Sequence, residues 1–572
     1  MIGKYIEKLV RKSYEEIMKE LGADIEISVD SPIKEEFGDY TAVILYKMLP
    51  RDIRADIAKN IRDDKGIFAE IEFKPPVFIN FFLKPEYLLE NLKQILKQKE
   101  KYGQSKLGKG KTIVIDYSAP NIAKPFGIGH LRSTVIGQAI YNLYKFLGYK
   151  CVGDNHLGDW GTQFGKLIFQ IELKIKNEKL KIKELTIDDL EKLYVEFHQK
   201  AKENPQLEDE ARAWFKKLEQ GDKKAKEIWQ ACWDISMKEF NRIYDLLRVE
   251  IDYILGESFY QDKMKPVFEE MKQKGLTNQS ESAWVVEFPG NKLPSLVLVK
   301  SDGATTYFLR DLATIKYRLK KWKPSIIAYE VGVDQSLYFK QLFKTIEMLG
   351  WTKDVQFEHI IHGLMRSKTG KFSTRQGDTI HLEDVLNEAI DKAKEIIEKS
   401  ETNKGLSQNE KLVLANQVGI GAVKYNDLSQ HHSRDIIFDW DKILNLKGNS
   451  GPYLQYVYAR CQSVLEKSSG NRVAVNSKIN FSSLQEIEKT LLKKLFHFKE
   501  VIKQSANSFS PNLICNYTFD LSQSFNLFYN EIPILKADTK EQKEFRLALT
   551  FGVGQVVKNG LTLLGIETPK KM

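Results

Sequence analysis

The sequence predicts an α/β protein built from several domains. Its 572 residues exceed the roughly 100–200 residues of a single domain, and its 42% hydrophobic residues are enough for packed cores. A strand, a Gly/Pro-rich loop, a helix and a second strand follow one another between residues 112 and 155, which is the order of a parallel crossover unit. From about residue 410 onward the patterns are almost entirely helical. Together these observations predict a doubly wound parallel sheet flanked by other folded parts.

The first hundred residues predict a small α+β unit. Apolar side chains recur at helical spacing over residues 4–21. The segments 67–73 and 77–83 have the composition of strands, and two prolines separate them. The lysine-rich, glycine-spaced segment 97–111 then predicts a linker to the next domain.

The crossover unit consists of a strand at 112–118, a loop at 119–129, a helix from about His130 and a strand at 149–155. The apolar run of the first strand suits a sheet that is covered on both faces. Ligands of such sheets bind beyond the carboxyl ends of the strands. The loop 119–129 and the segment DNHLGDWGTQFG (154–165) both lie there, so we expect the functional site at this edge.

A helical insertion is predicted between the crossover unit and the later strand-like segments. Residues 166–250 show long, charged helical patterns, which predict an inserted subdomain. Strand-like patterns return at 284–290, 296–302 and 325–332, with a helix from about Tyr307 among them. The alternation of strands and helices therefore continues beyond the insertion.

Charge and composition limit the function classes. The 87 Lys and Arg residues against 77 Asp and Glu residues give a net charge of +10, which permits a polyanionic partner without requiring one. The 4 cysteines include no C-x-x-C pair, so neither a disulfide framework nor a cysteine zinc site is predicted. The amphipathic N-terminal segment and the lack of a run of about 18 apolar residues predict a soluble, cytoplasmic protein that does not enter a membrane.

Two loops have the chemistry of an anion site. Gly127 and Gly129 allow close backbone approach, and the helix from His130 offers free N–H groups to a phosphate that would also meet Lys124. The alternative is a tight turn with a capping histidine. The basic, hydroxyl-rich loop 367–375 suits a mobile clamp on a polyphosphate. The alternative here is a solvated basic loop.

Acidic side chains near the predicted sheet suggest a cationic ligand. Unpaired buried carboxylates are costly, so convergence of Asp116, Asp159, Glu257 and Asp311 on one cleft would imply such a ligand. A guanidinium is favoured because its planar fork pairs with carboxylates through two bonds. The alternative is that each is a surface or capping group, and the sequence leaves both open.

Other chemistries lack their motifs. No His, Cys or Asp spacing matches a structural zinc site, so no metal site is predicted. A phosphate-binding G-x-x-x-x-G-K-[ST] loop and a G-x-S-x-G nucleophile elbow are also missing. A P-loop ATPase and a serine hydrolase of that type are therefore not predicted.

Several long motifs occur in a fixed order along the chain. They are FGDYTA (37–42), PPVFINFFL (75–83), SAPNIAKPFGIGHLRSTVIGQAI (118–140), DNHLGDWGTQFGKL (154–167), GATTYFLRDLA (303–313), TGKFSTRQGDTIHLEDVL (369–386), YNDLSQHHSRDIIFDWDKILNLKGNSGPYLQYVYAR (425–460) and the terminal LLGIETPKKM. Together they resemble the class I arginyl-tRNA synthetases over essentially the whole chain.

The resemblance implies the fold class in full. A Rossmann-type parallel-sheet catalytic domain with a helical insertion is expected between a small α+β N-terminal domain and an all-α C-terminal anticodon-binding domain. The expected boundaries are 1–100 for an additional tRNA-binding domain, 101–400 for the catalytic domain with its insertion at about 170–250, and 401–572 for the anticodon-binding domain.

The resemblance also implies a reaction. L-Arginine attacks the α-phosphate of ATP, which enters with Mg²⁺, and the arginyl group then passes to the 3′-terminal adenosine of the tRNA specific for arginine. Such an enzyme positions its reactants and neutralises charge on phosphorus, so it requires glycines, helix N-termini and lysines rather than a nucleophile. A cytoplasmic monomer without a structural metal is expected.

Two signatures of the family differ in this sequence. Gly127 occupies the place of the first histidine in the usual His-x-Gly-His, and Thr374 that of the last lysine in Lys-Met-Ser-Lys. In arginyl enzymes a lysine ahead of the first signature is thought to take over that charge, and Lys124 stands there. The resemblance therefore implies Lys124, His130 and Lys371 as the catalytic cations. The implied ATP-binding residues are Pro120, Gly127, Gly129, His130, Gly363, Ser373, Thr374 and Arg375.

The matching motifs also imply the residues that bind arginine. Asp116, Tyr307 and Asp311 would hold the guanidinium, with Glu257 adding charge to the pocket. Asn121 and Gln335 would bind the α-amino end. A pocket with two or more carboxylates rejects neutral analogues because its charges would be left unpaired.

Aromatic residues interleaved with basic ones suggest contacts with the tRNA. The candidates in the front unit and the last domain are Phe37, Tyr40, Asn80, Tyr453, Tyr456, Tyr458, Arg460, Phe525, Tyr529 and Met572. The alternative for the aromatic residues is packing within the helix bundle.

Two other functions remain open at this point. The missing histidine and lysine allow a catalytically silent, tRNA-binding paralogue. The Gly-His loop also allows a nucleotidyltransferase for a small molecule, although such an enzyme does not need the long helical C-terminal segment.

Overall fold

The structure is a computed structural model. It describes residues 2–21, 26–30, 32, 35–45, 61–75, 77–178, 180–291, 293–367, 381–400, 403, 405–468, 473 and 481–572. The chain forms two compact units. The smaller unit consists of Met1–Tyr102, Cys461–Phe498 and Asp520–Val556, and the larger unit of Gly103–Arg460, Lys499–Phe519 and Val557–Met572.

The first two thirds of the described chain contain both strands and helices, and the last third is mostly helical. The strands are β1 (Glu26–Asp30), β2 (Tyr40–Leu45), β3 (Phe68–Lys74), β4 (Phe78–Leu83), β5 (Thr112–Asp116), β6 (Lys150–Asn155), β7 (Tyr253–Ile254), β8 (Asn278–Ser280), β9 (Ala283–Val286), β10 (Leu296–Val299), β11 (Ile326–Gly332), β12 (Gln356–His362), β13 (Met365–Ser367) and β14 (Ile436–Phe438). The helices are α1 (Ile2–Leu21), α2 (Pro85–Gln98), α3 (Gly129–Phe146), α4 (Thr162–Glu178), α5 (Ile187–Glu203), α6 (Gln206–Glu219), α7 (Lys223–Leu247), α8 (Met264–Gln273), α9 (Tyr307–Trp322), α10 (Ser336–Met348), α11 (Leu382–Lys399), α12 (Gln408–Leu428), α13 (Trp440–Ile443), α14 (Gly451–Lys467), α15 (Glu486–Asn507), α16 (Asn512–Glu531) and α17 (Lys540–Leu563).

The smaller unit contains an antiparallel sheet in the order β1-β2-β4-β3. Helix α1 buries Ile6 and Val10, as its helical spacing predicts. The predicted linker 97–111 is wrong at its start, because α2 continues into it. Tyr102 is fully buried there, and its hydroxyl donates to Asn91 Oδ1 at 2.8 Å. Burial of this aromatic ring holds residues 99–102, just after α2, against the smaller unit.

The larger unit is built on a parallel sheet in the order β12-β11-β5-β6-β7. Ile113, Val114 and Ile115 of β5 are fully buried, because both faces of a central parallel strand are covered. Helix α3 connects β5 to its neighbour β6, which forms the predicted crossover. The carboxyl ends of these strands therefore lie along one edge.

The predicted helical insertion consists of α4 to α7 between β6 and β7. Asp222 caps the start of α7 by accepting from the backbone N–H of Ala225 at 2.9 Å. Of the strand-like segments beyond it, the first two correspond to β9 and β10, which form a separate antiparallel sheet with β8 in the order β10-β9-β8, and the third contains β11 of the parallel sheet. The later part of the chain is helical as predicted, except that β14 pairs with β13 in parallel. No helix among the described residues is both long and apolar enough to cross a membrane.

Candidate active site at the carboxyl ends of the parallel strands

Charged and polar side chains are concentrated where the parallel strands of the larger unit end. Asp116 is the last residue of β5, and His156 follows the last residue of β6. Glu330 lies near the end of β11, and His362 is the last residue of β12. Four neighbouring strands thus bring ionisable groups to one edge.

The loop after β5 has a strained backbone that hydrogen bonds hold in place. Ser118, Ala119 and Ala123 have φ values of 75°, 45° and 62°, in the left-handed region that non-glycine residues rarely adopt. The N–H of Ala119 donates to Asn155 Oδ1 at 3.0 Å, and that of Ala123 donates to Ser236 Oγ at 2.8 Å. Side chains from β6 and α7 therefore fix the course of this loop.

The start of α3 is an open helix N-terminus. Ile128 precedes the helix and supplies no side-chain cap. A Cβ added to Gly129 would have no heavy atom within 4 Å, so the first turn faces open space. Gly127 is buried and forms an antiparallel bridge with His381. The N–H groups of His130 and Leu131 donate to the carbonyl oxygens of Gly127 and Ile128 at 3.0 and 3.1 Å, so Gly129 is left to offer its N–H to an anion, which the helix dipole also favours.

Basic side chains converge beside this helix end. The His130 ring packs edge-on against Phe126 with 5.2 Å between centroids, and its Nδ1 is buried without a hydrogen-bond partner among the described residues. Burial lowers the pKa of His130, and the nearby His362 and Lys124 lower it further. Lys124 is exposed, with its ammonium group 5.0 Å from the centre of the Tyr194 ring.

Gly363 is held against the same helix by a buried arginine. Arg132 Nη1 donates to the carbonyl groups of Gly363 at 2.9 Å and Arg434 at 2.7 Å, and its Nε donates to Asp427 Oδ1 at 3.3 Å. A Cβ on Gly363 would lie 2.5 Å from the carbonyl carbon of Arg434, so this position requires glycine. The predicted residues Lys371, Ser373, Thr374 and Arg375 lie outside the described residues.

Two carboxylates at the opposite end of the edge are paired with an internal arginine. Arg318 is fully buried, and its Nη2 donates to Asp116 Oδ2 at 2.7 Å. Its Nε donates to Asp154 Oδ2 at 2.8 Å. Burial raises the pKa of Asp154, and the guanidinium of Arg318 opposes that rise. One guanidinium is therefore shared by Asp116 and Asp154, which holds both carboxylates in place and offsets part of their negative charge.

Glu257 and Asp159 also have partners. Arg310 Nη1 donates to Glu257 Oε2 at 2.9 Å, and burial raises the pKa of Glu257. Asp159 accepts from the backbone N–H of Ser258 at 2.8 Å and from its hydroxyl at 2.7 Å. Asp159 thus acts as a capping group, the alternative that the sequence left open.

Asp311 has no lysine or arginine partner among the described residues. Its Oδ2 accepts a hydrogen bond from the hydroxyl of Tyr338, and its Oδ1 lies 3.7 Å from His156 Nε2. Burial raises the pKa of Asp311, and the negative charge of Asp116 raises it further. Asp311 therefore belongs to the same acidic cluster as Asp116 and remains available to a cation.

The other residues predicted to bind arginine are exposed. The Tyr307 side chain is 57% exposed, and its ring lies 5.3 Å from that of Tyr338. Gln335 ends a short 3₁₀ turn directly after β11. Asn121 lies against Gly158, where an added Cβ would be only 1.9 Å from Asn121 Oδ1. Glycine at that position lets the two loops meet.

Family models match nearly the whole chain. The model of "tRNA synthetases class I (R), catalytic domain" matches residues 91–440. The "Arginyl tRNA synthetase N terminal domain" matches residues 4–83, and the "DALR anticodon binding domain" matches residues 454–572. The chain belongs to the class I arginyl-tRNA synthetase family.

Relatives and solved structures agree with this assignment. The arginine–tRNA ligases of Clostridioides difficile (strain 630) and Halothermothrix orenii are each 40% identical to the chain, and each alignment covers 99% of both proteins. The arginyl-tRNA synthetase of Plasmodium falciparum superposes with a TM-score of 0.82 at 26% identity, covering 100% of this chain and 99% of that one. The Thermus thermophilus arginyl-tRNA synthetase superposes with a TM-score of 0.83 at 21% identity over 100% of both chains, which supports the fold alone. The predicted family and fold class are confirmed.

The smaller unit of this arginyl-tRNA synthetase family member buries part of the predicted tRNA surface. Phe37 and Tyr529 are 40% and 39% exposed, whereas Tyr40 is 2% and Asn80 is 1% exposed. Asn80 Oδ1 accepts from the hydroxyl of Thr41 at 2.9 Å, across the strand pair β2–β4. Burial favours packing for Tyr40 and Asn80, and also for the fully buried Phe525.

The predicted tRNA residues of the larger unit also have packing partners. Tyr453 and Tyr458 are buried, and the Tyr453 ring lies 5.4 Å from that of Phe519. The guanidinium of Arg460 lies 4.8 Å from the centre of the Tyr456 ring. Met572 packs against the apolar cluster between α11 and α12.

Sequence reasoning missed the groups that neutralise or complete the site. Arg310 and Arg318 lie on α9, whose composition resembles a solvated, charged helix. His156 and His362 match no metal-site spacing in the sequence, although both stand at the carboxyl ends of strands. The rule that ligands bind at that edge could have selected the two histidines, whereas no local pattern marks the two arginines.

Proposed function

We propose that the chain is an active arginine–tRNA ligase. It activates L-arginine with ATP, releases pyrophosphate and transfers the arginyl group to the 3′-terminal adenosine of its tRNA. One observation carries the proposal: three family models match in order between residues 4 and 572, and curated ligases are 40% identical over 99% of the chain.

ATP, which enters with Mg²⁺ as part of the substrate, is proposed to bind at the start of α3. The open first turn at Gly129 suits a phosphate, and Pro120, Gly127 and Gly363 shape the surrounding backbone. Lys124, His130 and Lys371 would stabilise the charge that develops on phosphorus. The remaining ATP contacts would come from Ser373, Thr374 and Arg375.

L-Arginine is proposed to bind at the acidic end of the same edge. Asp311 would pair with the guanidinium, since it lacks an internal arginine or lysine among the described residues, and Tyr307 would border the side chain. Asn121 and Gln335 would hold the α-amino end. Asp116 and Glu257 would act through Arg318 and Arg310 by fixing the shape and charge of the pocket.

The domain boundaries 1–100, 101–400 and 401–572, with their tRNA-binding roles, are part of this proposal. Phe37 and Tyr529 are the most exposed of the candidate aromatic residues for RNA stacking. A monomer that works in the cytoplasm is the state that we propose.

Pyrophosphate exchange tests the function directly. ATP, arginine and tRNA are omitted in turn, and exchange should require all three because the family resemblance implies that tRNA is needed for the first step. Tight tRNA binding without arginine-dependent exchange would identify a silent tRNA-binding protein. Exchange that needs neither arginine nor tRNA would identify a small-molecule nucleotidyltransferase.

Thr374 stands where the second signature of the family usually has its last lysine. The variant Lys124→Ala tests whether Lys124 supplies the missing positive charge. Loss of one preorganised cation at a reacting phosphate should lower kcat about 100-fold, with a smaller effect on the arginine KM. Lys200→Ala is the matched control, since Lys200 pairs with Glu196 on the surface of α5. Full activity of the Lys124→Ala variant would contradict the proposal that Lys124 replaces the lysine that is missing at position 374.

A further inference from the structure

His156 is held in one orientation beside the acidic cluster. Its Nδ1 lies 3.1 Å from the carbonyl oxygen of Leu255. Because a carbonyl can only accept, Nδ1 carries the hydrogen of the neutral ring. The ring also packs at 5.4 Å from the ring of Tyr260, which fixes its plane. The other nitrogen, Nε2, is therefore the acceptor of the neutral imidazole.

That acceptor faces the available carboxylate. Nε2 of His156 is buried, has no hydrogen-bond partner among the described residues and lies 3.7 Å from Asp311 Oδ1. Both atoms accept hydrogen bonds when His156 is neutral and Asp311 is ionised. A group that satisfies both must offer at least two donor hydrogens, and a guanidinium presents two N–H bonds side by side on one edge.

The other charged groups around His156 are already engaged. Protonated His156 would favour ionisation of Asp154, Asp159, Glu257 and Asp311. The first three accept hydrogen bonds from Arg318, Ser258 and Arg310, respectively. The hydroxyl of Tyr260 is also buried nearby and does not ionise in the neutral range, since burial raises its pKa. Among the described residues, Asp154 Oδ1, Arg310 Nε, Arg318 Nη1 and the Tyr260 hydroxyl also lack hydrogen-bond partners, and Nε2 is the acceptor that lies 3.7 Å from Asp311 Oδ1.

We propose that His156 is a substrate-binding residue that determines specificity for arginine. Its neutral Nε2 accepts one guanidinium N–H while Asp311 accepts another. The inference rests on the proposed function and adds a residue to its amino-acid pocket.

Two variants distinguish the contribution of the Nε2 acceptor from that of the aromatic ring. His156→Phe keeps an aromatic ring against Tyr260 but removes the acceptor, and His156→Gln retains a side-chain acceptor. Because a hydrogen bond to a charged group is lost, the arginine KM of His156→Phe should rise about 10- to 100-fold, with the ATP KM unchanged. His156→Gln should recover part of that loss. His497→Phe, a histidine substitution in the smaller unit, is the control.

The arginine KM of the folded variants provides the decisive readout. An arginine KM within about twofold of the wild type in a folded His156→Phe protein would overturn the proposal. Calorimetric titration of L-arginine into both proteins tests His156 even if exchange is absent. Absence of arginine-dependent exchange in the wild type would count against the proposed function alone.

Discussion

The two ends of the strand edge use opposite strategies for charge. At the proposed ATP end, hydrogen-bonding capacity is left without a partner among the described residues, at the first turn of α3 around Gly129 and at the buried His130 Nδ1. At the proposed arginine end, Asp116 and Glu257 are paired with Arg318 and Arg310. The physical reason is that an exposed helix end lowers the free energy of unfolding very little, whereas several unpaired buried carboxylates would lower it greatly. Selectivity for a cation is thus left to the few acceptors that remain.

Removing the arginine that holds the acidic end should have the largest effect. Arg318→Met leaves Asp116 and Asp154 buried without a cation, so the free energy of unfolding should fall by about 3–5 kcal/mol. Urea denaturation followed by circular dichroism measures the change. Because the chain has two compact units, the transition that is shifted must be assigned with a probe in the larger unit.

A triple variant is the matched control for this effect. Asp116→Asn, Asp154→Asn and Arg318→Met together remove all three charges, so most of the lost stability should return. An unfolding transition that does not change in Arg318→Met would contradict the interpretation that Arg318 balances the two carboxylates.

Neutralising individual carboxylates should show which one is available to the substrate. Asp311→Asn should raise the arginine KM about 30-fold or more, because it removes a charged acceptor from a partly buried guanidinium. Glu257→Gln should have a smaller effect on arginine, since Arg310 already neutralises Glu257. Steady-state kinetics with ATP as the reference substrate distinguishes the two. A larger arginine effect for Glu257→Gln would reverse the proposed assignment.

The sheet and the helices could be predicted because their patterns depend on burial. The buried apolar centre of β5 (113–115) and the helical spacing of α1 follow directly from which faces are covered. The ion pairs could not be predicted in the same way. Arg318 and Asp116 are 202 residues apart in sequence, and only the docking of α9 on the strand ends brings them together. A charged helix gives the same local pattern whether that face is solvated or paired.

The candidate tRNA residues show the same limit. Tyr40 and Asn80 lie on neighbouring strands, where alternate side chains point to opposite faces. Tyr40 pairs with Phe81 and Thr41 with Asn80, so Tyr40 and Asn80 point to opposite faces of the sheet, and both are buried. Phe37, in the turn before β2, is exposed. Residue type suggested an RNA contact, but both sheet faces are covered at these positions, so Tyr40 and Asn80 do not reach the surface.

The smallest expected effect concerns the ATP end. Burial keeps the pKa of His130 below its ordinary value, so the ring is neutral at pH 7 before ATP binds. A phosphate beside Nδ1 would raise that pKa, and a group whose pKa is higher in the complex takes up protons on binding. ATP affinity should therefore increase as the pH falls between the two pKa values, by less than about 1 kcal/mol.

Calorimetry at pH 6 in two buffers with different ionisation enthalpies measures the proton uptake on ATP binding. Because ATP itself titrates near this pH, the readout is the difference in proton uptake between the wild type and a His130→Asn variant. Equal proton uptake in the two proteins would show that His130 does not contact the phosphates.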